Sequence, residues 1–347
     1  MDLSDKTQLI QYLKQNGLYA KHSLGQNFLV DREVLDKIIE TAEIKPDDLV
    51  IEIGPGLGVL TQELVGRAGK VIAVEMDDRL AELLKSEFED RSSNIVAKNR
   101  TPNSETRTSS LEVINADILK LNISELIKDY PAYKVVANIP YYITSKILQL
   151  FLTQKNKPES ITLLVQKEVA ERICAKPLDI ARGRPGNMSI LSISVQAYAE
   201  PEIIEIVKAS SFFPAPKIDS AILKIGKIHS FCHPAADPPP LRGGVRGGEN
   251  EIQISSNVTP PPAPPRRGGG QSEDDRYCAE KDFFYFYLVH VGFASKRKTL
   301  VNNLAAGLHL DKEKSLAIIK SVGLNENVRA QELSVEEWVE LTKIIQK

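Results

Sequence analysis

The sequence predicts an α/β protein with an open sheet, followed by a small all-α C-terminal domain. Three observations predict it. Residues 49–53, Leu-Val-Ile-Glu-Ile, form an apolar run that leads straight into Gly54-Pro55-Gly56-Leu57-Gly58 and then a helical pattern through Leu60, Leu64 and Val65. Two further apolar runs, 71–74 and 133–137, are followed by the polar residues Glu75 and Asn138. Short apolar runs bounded by turn residues read as buried strands, and open α/β sheets bind ligands at such strand ends. Beyond Lys281 the spacing turns helical, beginning with Phe283, Phe284, Tyr287, Leu288 and Val291.

Composition bounds the function. A chain of 347 residues suggests two domains, and 42% hydrophobic with 26% charged residues is the make-up of a soluble globular protein. No apolar run reaches membrane-spanning length, and Met1–Asp5 lacks the basic and apolar regions of a secretory signal. Cys174, Cys232 and Cys278 are far apart and match no metal or redox spacing. The expectation is a cytoplasmic protein with reduced thiols, no metal and no membrane contact. A net charge of −2 argues against a surface basic all over, but leaves room for a local basic groove.

At the N-terminus, Leu9, Ile10 and Leu13 have helical spacing within 5–16. Residues 21–29, Lys-His-Ser-Leu-Gly-Gln-Asn-Phe-Leu, read as a loop lying over something, or as an ordinary connector. Asp31 is a candidate N-cap for a helix that turns Val34, Leu35, Ile38 and Ile39 inward. Strand, glycine turn and helix at 49–65 form a cofactor-binding arrangement, because glycine lets the backbone approach a ligand. Val59 leaves the dinucleotide pattern incomplete. Glu75 can accept from both hydroxyls of a ribose, or can be a surface carboxylate starting the next helix. That helix carries Leu80, Leu83, Leu84 and Phe88. Most of 91–110 reads as an insertion loop, and 111–115 as a third strand. Asp117 either accepts from a purine exocyclic amine or serves as an N-cap for the next segment.

After Asn138 comes a helix over 145–152 with Ser145 as N-cap, then a strand over 161–165 and a helix from Gln166. Residues 177–188 read as a polar loop whose Arg182 and Arg184 are phosphate contacts or merely solvated. Two more β-like runs span 189–199 and 218–225. Between them, Phe212-Phe213-Pro214-Ala215-Pro216-Lys217 cannot be a central strand, because of its prolines. An exposed Phe there offers a stacking face; the other reading is a core anchor. Residues 234–270 hold nine Pro and seven Gly in 37 positions, which suits a flexible insertion. Lys296-Arg297-Lys298 precedes an apolar helix and is either a solvated face or a basic contact surface. Helices near 311–322 and 334–346 finish the chain. The expected domains are 1–228, an insertion at 229–280, and 281–347.

Asn138-Ile139-Pro140-Tyr141 carries the chemistry. Taken alone, these residues read first as a plain strand-ending turn. In this context they suit methylation of an exocyclic amine. The Asn138 side-chain oxygen and the Ile139 carbonyl form an acceptor pair for the two N–H groups of an adenine N6. Pro140 stiffens the turn, and Tyr141 offers a stacking face to a flipped base.

Taken together, the pieces resemble the rRNA adenine N6,N6-dimethyltransferase family, over nearly the whole chain. The carriers are 24–29 (Leu-Gly-Gln-Asn-Phe-Leu), 52–58 (Glu-Ile-Gly-Pro-Gly-Leu-Gly), Glu75, Ala116-Asp117, Asn138-Ile139-Pro140-Tyr141, 212–220 and 295–300. The resemblance implies a seven-stranded Rossmann-like methyltransferase sheet and S-adenosyl-L-methionine as donor. It implies that Asn27 and Leu29 close over the cofactor, that Gly54 and Gly56 form the turn beside it, and that Glu75 holds its ribose. Asp117 would read its adenine, Asn138 would sit between donor and target, and Tyr141 and Phe212 would flank the target base. The implied substrate is a pair of neighbouring adenines near the 3′ end of small-subunit rRNA, within a pre-30S particle, methylated by a monomer.

Three departures stand out: the 91–110 insertion between Glu75 and Asp117, the 234–275 segment, and Tyr142 where some members carry Asn. The alternatives are a large-subunit rRNA adenine methyltransferase, an NAD-dependent dehydrogenase and a non-catalytic assembly factor. The C-terminal helices and 296–300 favour the small-subunit branch. Val59 and the Asn138 motif disfavour the dehydrogenase.

Overall fold

The computed structural model describes residues 3–19, 26–98, 110–140, 143–178, 183, 185–231 and 273–346; of these, the side chains of 89–98 and 273–282 are not described. In chain order the elements are α1 (Lys6–Gln15), β1 (Phe28–Leu29), α2 (Arg32–Ala42), β2 (Leu49–Ile53), α3 (Val59–Val65), β3 (Lys70–Glu75) and α4 (Asp78–Lys98). Next come β4 (Ser110–Asn115), α5 (Ile123–Leu126), β5 (Lys134–Asn138), α6 (Thr144–Leu152), β6 (Ser160–Gln166), α7 (Lys167–Ile173), α8 (Ile190–Gln196) and β7 (Glu200–Val207). The last are β8 (Phe212–Phe213), β9 (Ser220–Gly226), α9 (Glu273–Gly292), α10 (Leu300–Gly307), α11 (Lys312–Ser321) and α12 (Val335–Gln346). No described helix is long and apolar enough to cross a membrane.

Seven strands form one sheet in the order β4-β3-β2-β5-β6-β9-β7. The first five are parallel, while β9 runs antiparallel to both β6 and β7. Strands β2, β5 and β6 are apolar nearly throughout because both faces are covered, as parallel strands require. The chain winds outward from β2 through β3 to β4, then returns to the other side of β2 as β5. The crevice at the carboxyl ends of β2 and β5 is therefore a topological switch point. One face of the sheet is packed by α2, whose Val34, Leu35, Ile38 and Ile39 lie in the core with Val50, Val136 and Leu164. Asp31 caps α2 as expected, accepting from Glu33 N at 3.2 Å and Val34 N at 3.3 Å; such a cap stabilises by about 1 kcal/mol.

The residues fall into two compact units. One comprises 1–171 and 199–228, and the other 172–198 and 229–347. The sequence reading assigned all of 1–228 to the first domain. Residues 172–198 instead pack within the second unit. There Leu178 N donates to Glu332 O and Met188 N to Gln331 O, at 3.0 Å each. A Cβ on Gly186 would come within 2.5 Å of the Gln331 carbonyl oxygen, so only glycine lets these segments meet.

Several local expectations are corrected. The β-like run at 189–199 is the helix α8: Ser189 and Ser192 form a reciprocal capping box, which overrides the β-branched residues behind them. The seventh strand is β7, whose alternation is hidden by an irregularity between Ile203 and Glu205. Residues 91–98 continue α4, and Ser110 opens β4, so the loop reading of 91–110 fails at both ends. Helix α6 starts at Thr144 without a side-chain cap, so Ser145 is not its N-cap. Helix α9 begins at Glu273, inside the expected 229–280 insertion. Arg182, Arg184 and residues 99–109 and 232–272 lie outside the described residues.

One acid sits in the core. Glu52, on β2, is 1% exposed, and its Oε2 has no hydrogen-bond partner. Burial pushes its carboxyl up to about 8; the nearby Thr61 hydroxyl opposes this and the Glu75 carboxylate adds to it. Between the unfolded value of about 4.3 and the folded one, the folded protein holds a proton that the unfolded chain releases, so stability falls as pH rises across that window. Glu52→Gln should flatten the loss of stability between pH 5 and 8 by on the order of 1–3 kcal/mol. Urea midpoints at several pH values test this. Equal pH slopes in variant and parent would contradict it.

Candidate active site

The cleft at the switch point lies wholly within the first unit. Asn27, Leu29, Gly54, Gly56, Glu75, Asp117, Asn138, Ile139 and Pro140 all line it, together with Glu52 and Met76. Strand ends position most of them: Gly54 follows β2, Glu75 ends β3, Asp117 lies just past β4, and Asn138 ends β5.

The glycine turn needs its glycines. Gly54 and Gly56 have φ of 66° and 58°, in the left-handed region. A Cβ on Gly54 would lie 3.9 Å from the Asn138 carbonyl oxygen, and one on Gly56 would lie 3.4 Å from the Phe28 ring. The turn is held by Glu75. Its Oε2 accepts from Gly56 N at 3.0 Å and its Oε1 from Asp77 N at 2.8 Å. Burial raises the Glu75 carboxyl above its ordinary value, opposed by the N–H groups of Asp77, Gly56 and Met76. Each oxygen retains acceptor capacity for a ligand hydroxyl. Asp117 Oδ1 caps the short helical turn after β4 by accepting from Leu119 N at 3.0 Å, while the residue still lines the cleft. The capping and ligand readings of Asp117 are thus compatible.

Asn138 is half-buried, and its Nδ2 donates to the Asn27 carbonyl at 3.2 Å. The Ile139 side chain is buried, so only its backbone can offer a polar group to the cleft. The Pro140 carbonyl accepts from Ile143 N at 3.2 Å, closing a tight turn. Tyr141 lies outside the described residues.

Phe212 is corrected. It is 1% exposed, in the core beside Leu29, Val207 and Ile222, and does not line the cleft. It belongs to β8, which pairs with β1 in a separate two-stranded ladder with Leu29↔Phe212 and Phe28↔Phe213. Alternation in that ladder turns Phe212 inward and leaves its neighbour Phe213 half-buried.

Glu52 and Met76 are among the lining residues not singled out as site residues from sequence. Glu52 sits in a run that reads as ordinary buried strand; its charge among Leu49, Val50, Ile51 and Ile53 was the available signal. Met76 is 57% exposed and lines the cleft, next in sequence to Glu75. No signal marks an isolated Met, although an exposed apolar side chain beside polar ones suits the face of a flat ring.

The electrostatics select the ligand. Three acids, Glu52, Glu75 and Asp117, line the cleft, and no Lys, Arg or His does so among the described residues. With Glu52 protonated by its burial, the charge on the lining comes from Glu75 and Asp117, and it favours a cationic ligand over a pyrophosphate. The described residues also contain no group of side chains that could hold a metal ion.

Comparison with known proteins agrees. The family model for ribosomal RNA adenine dimethylase matches residues 17–239. A curated relative from Dehalococcoides mccartyi, "Ribosomal RNA small subunit methyltransferase A", is 38% identical over 93% of this chain and 88% of its own length. Its namesake from Alkaliphilus metalliredigens is 35% identical over 92% of this chain and 90% of its own. Among solved structures, the 23S rRNA methyltransferase ErmE is 25% identical with a TM-score of 0.57, covering 92% of this chain and all of that one. A dimethyladenosine transferase from Plasmodium falciparum shares the fold, with a TM-score of 0.60 at 23% identity over 90% of this chain and 95% of that one. On the matched family model and these curated relatives, the chain belongs to the ribosomal RNA adenine dimethylase family.

Proposed function

We propose that the protein transfers methyl groups from S-adenosyl-L-methionine to N6 of two adjacent adenosines near the 3′ end of small-subunit (16S) rRNA, giving N6,N6-dimethyladenosine. Its substrate is the rRNA within a pre-30S particle, and it acts as a cytoplasmic monomer. The observation that carries the reading is a cleft lined, among the described residues, by three acids and no base, with Asn138 in the same lining. The branch follows the curated relatives: the small-subunit names come with 35–38% identity, against 25% for the large-subunit structure.

The residues fit this donor. Glu75 offers carboxylate oxygens to a ribose, Asp117 offers one to an adenine amine, and Glu52, which burial keeps protonated below about pH 8, adds an unpartnered neutral oxygen. Asn27 and Leu29 cover the cleft, and Met76 gives it an apolar border. When bound, the cofactor supplies a methyl group already activated by the positive sulfonium. The protein's part is then orientation and electrostatics. Asn138 Oδ1 and the Ile139 carbonyl accept the two N–H groups of the target amine and so aim its lone pair. They also stabilise the positive charge that grows on nitrogen. The proton leaves after transfer, so no histidine base is required. Tyr141 stacks on the flipped base. The exposed Lys296, Arg297 and Lys298 suit phosphate contacts elsewhere on the RNA.

Labelled S-adenosylmethionine offered to undermethylated small-subunit particles, large-subunit particles and free rRNA tests the reading. Dimethyladenosine should map to neighbouring adenines of the small subunit. Label confined to the large subunit would replace the proposed substrate, and none at all with cofactor bound would favour an assembly factor. Asn138→Ala should lower methyl transfer by about 100-fold or more while the protein stays folded and binds cofactor; near-parental turnover would sink the role of Asn138. Glu75→Gln should weaken cofactor binding by roughly 10–100-fold in titration calorimetry, since a charged acceptor is lost. An unchanged affinity would remove Glu75 from the donor site.

A further inference from the structure

We infer that the backbone carbonyl of Asn27 is a positioning group for methyl transfer, fixing the Asn138 amide with Nδ2 turned away from the substrate and Oδ1 left to accept from it. This rests on the reading of Asn138 as acceptor for the target amine. A primary amide offers two nearly isosteric ends with opposite chemistry. If Asn138 turned over, it would present donors to an amine that is itself a donor, and the acceptor pair would be lost. Something must therefore hold one orientation. The contact at 3.2 Å between Asn138 Nδ2 and the Asn27 carbonyl does so, because a carbonyl oxygen can only accept. The flipped amide would set two acceptor oxygens against each other, so chemistry itself assigns the ends.

The carbonyl is in turn held in place. Asn27 immediately precedes β1, whose Phe28 and Leu29 pair with Phe213 and Phe212 of β8. The ladder extends by one bond, Val30 N to Ser211 O at 2.8 Å, and Ser211 Oγ donates to Asp31 Oδ2 at 2.6 Å. Phe28 and Leu29 are both buried, and the Phe28 ring lies against Gly56. The segment that covers the cleft thus also orients the acceptor amide. A group that fixes the orientation of a reacting side chain is expected to matter for rate even though it never touches the substrate.

Asn138→Asp separates orientation from acceptor strength. An ionised carboxylate is acceptor-only and would oppose the Asn27 carbonyl. A protonated carboxyl restores the original pattern, its O–H donating to Asn27 and its C=O accepting from the amine. Activity of the full-length variant on undermethylated particles is measured from pH 8 to pH 6, as a ratio to the parent protein at each pH. The ratio should be down about 100-fold or more at pH 8 and rise by roughly tenfold per unit as pH falls, until the introduced carboxyl is protonated. Asn138→Ala should show no such recovery. A near-parental Asp variant at pH 8, or a ratio flat with pH, would overturn the inference.

A second measurement does not depend on activity. In nitrogen-15-labelled parent protein, the Asn138 side-chain amide should show one proton protected from solvent exchange. Free exchange of both protons would also overturn the inference. If the parent makes no dimethyladenosine, the proposed function fails instead, and the amide measurement still decides the positioning contact.

Discussion

The cleft depends on one buried carboxylate. Glu75 ends β3, yet its two oxygens bind the amide of Gly56 in the turn after β2 and the amide of Asp77 at the start of the next connection. A second bond joins the same regions, from Gly54 N to the Val74 carbonyl at 2.9 Å. Burying a carboxylate is costly, and the bonds to backbone N–H groups offset that cost. They leave a tied-down glycine turn whose positive φ angles give a ligand access to the main chain. With that turn fixed beside the end of β5, Asn138 stands within the same crevice.

Much of this was legible in the sequence because it is local. Apolar runs 49–53, 71–74, 111–115, 133–137 and 161–165 each coincide with an observed strand to within a residue, and the polar residues after them line the cleft at β3, β4 and β5. Asp31 announced its helix through cap chemistry together with the inward spacing of Val34, Leu35, Ile38 and Ile39. The errors have physical causes of two kinds. Where a cap and β-branched content conflicted, as at 189–196, residue type misled and the Ser189–Ser192 box decided. Where pairing was non-local, nothing in the sequence could reveal it. Leu29 and Phe212 are 183 positions apart and meet only because the ladder brings them together, which buries a ring that looked available for stacking.

The charge of the whole chain hides the charge of its parts. A net −2 gives no hint that the lining of one crevice carries, among the described residues, three acids and no base. That separation matters for a protein acting on RNA. The crevice repels phosphates, so a nucleotide can present only its neutral base there, and its backbone must remain outside. Affinity for a polyanion then calls for cations that are not part of that lining, and the second unit carries an exposed run of three at 296–298. The same field attracts a sulfonium-bearing donor and rejects a pyrophosphate-bearing one. The carboxylates at these strand ends therefore suit a cationic donor and, by the same field, a target presented as its neutral base rather than as its phosphate.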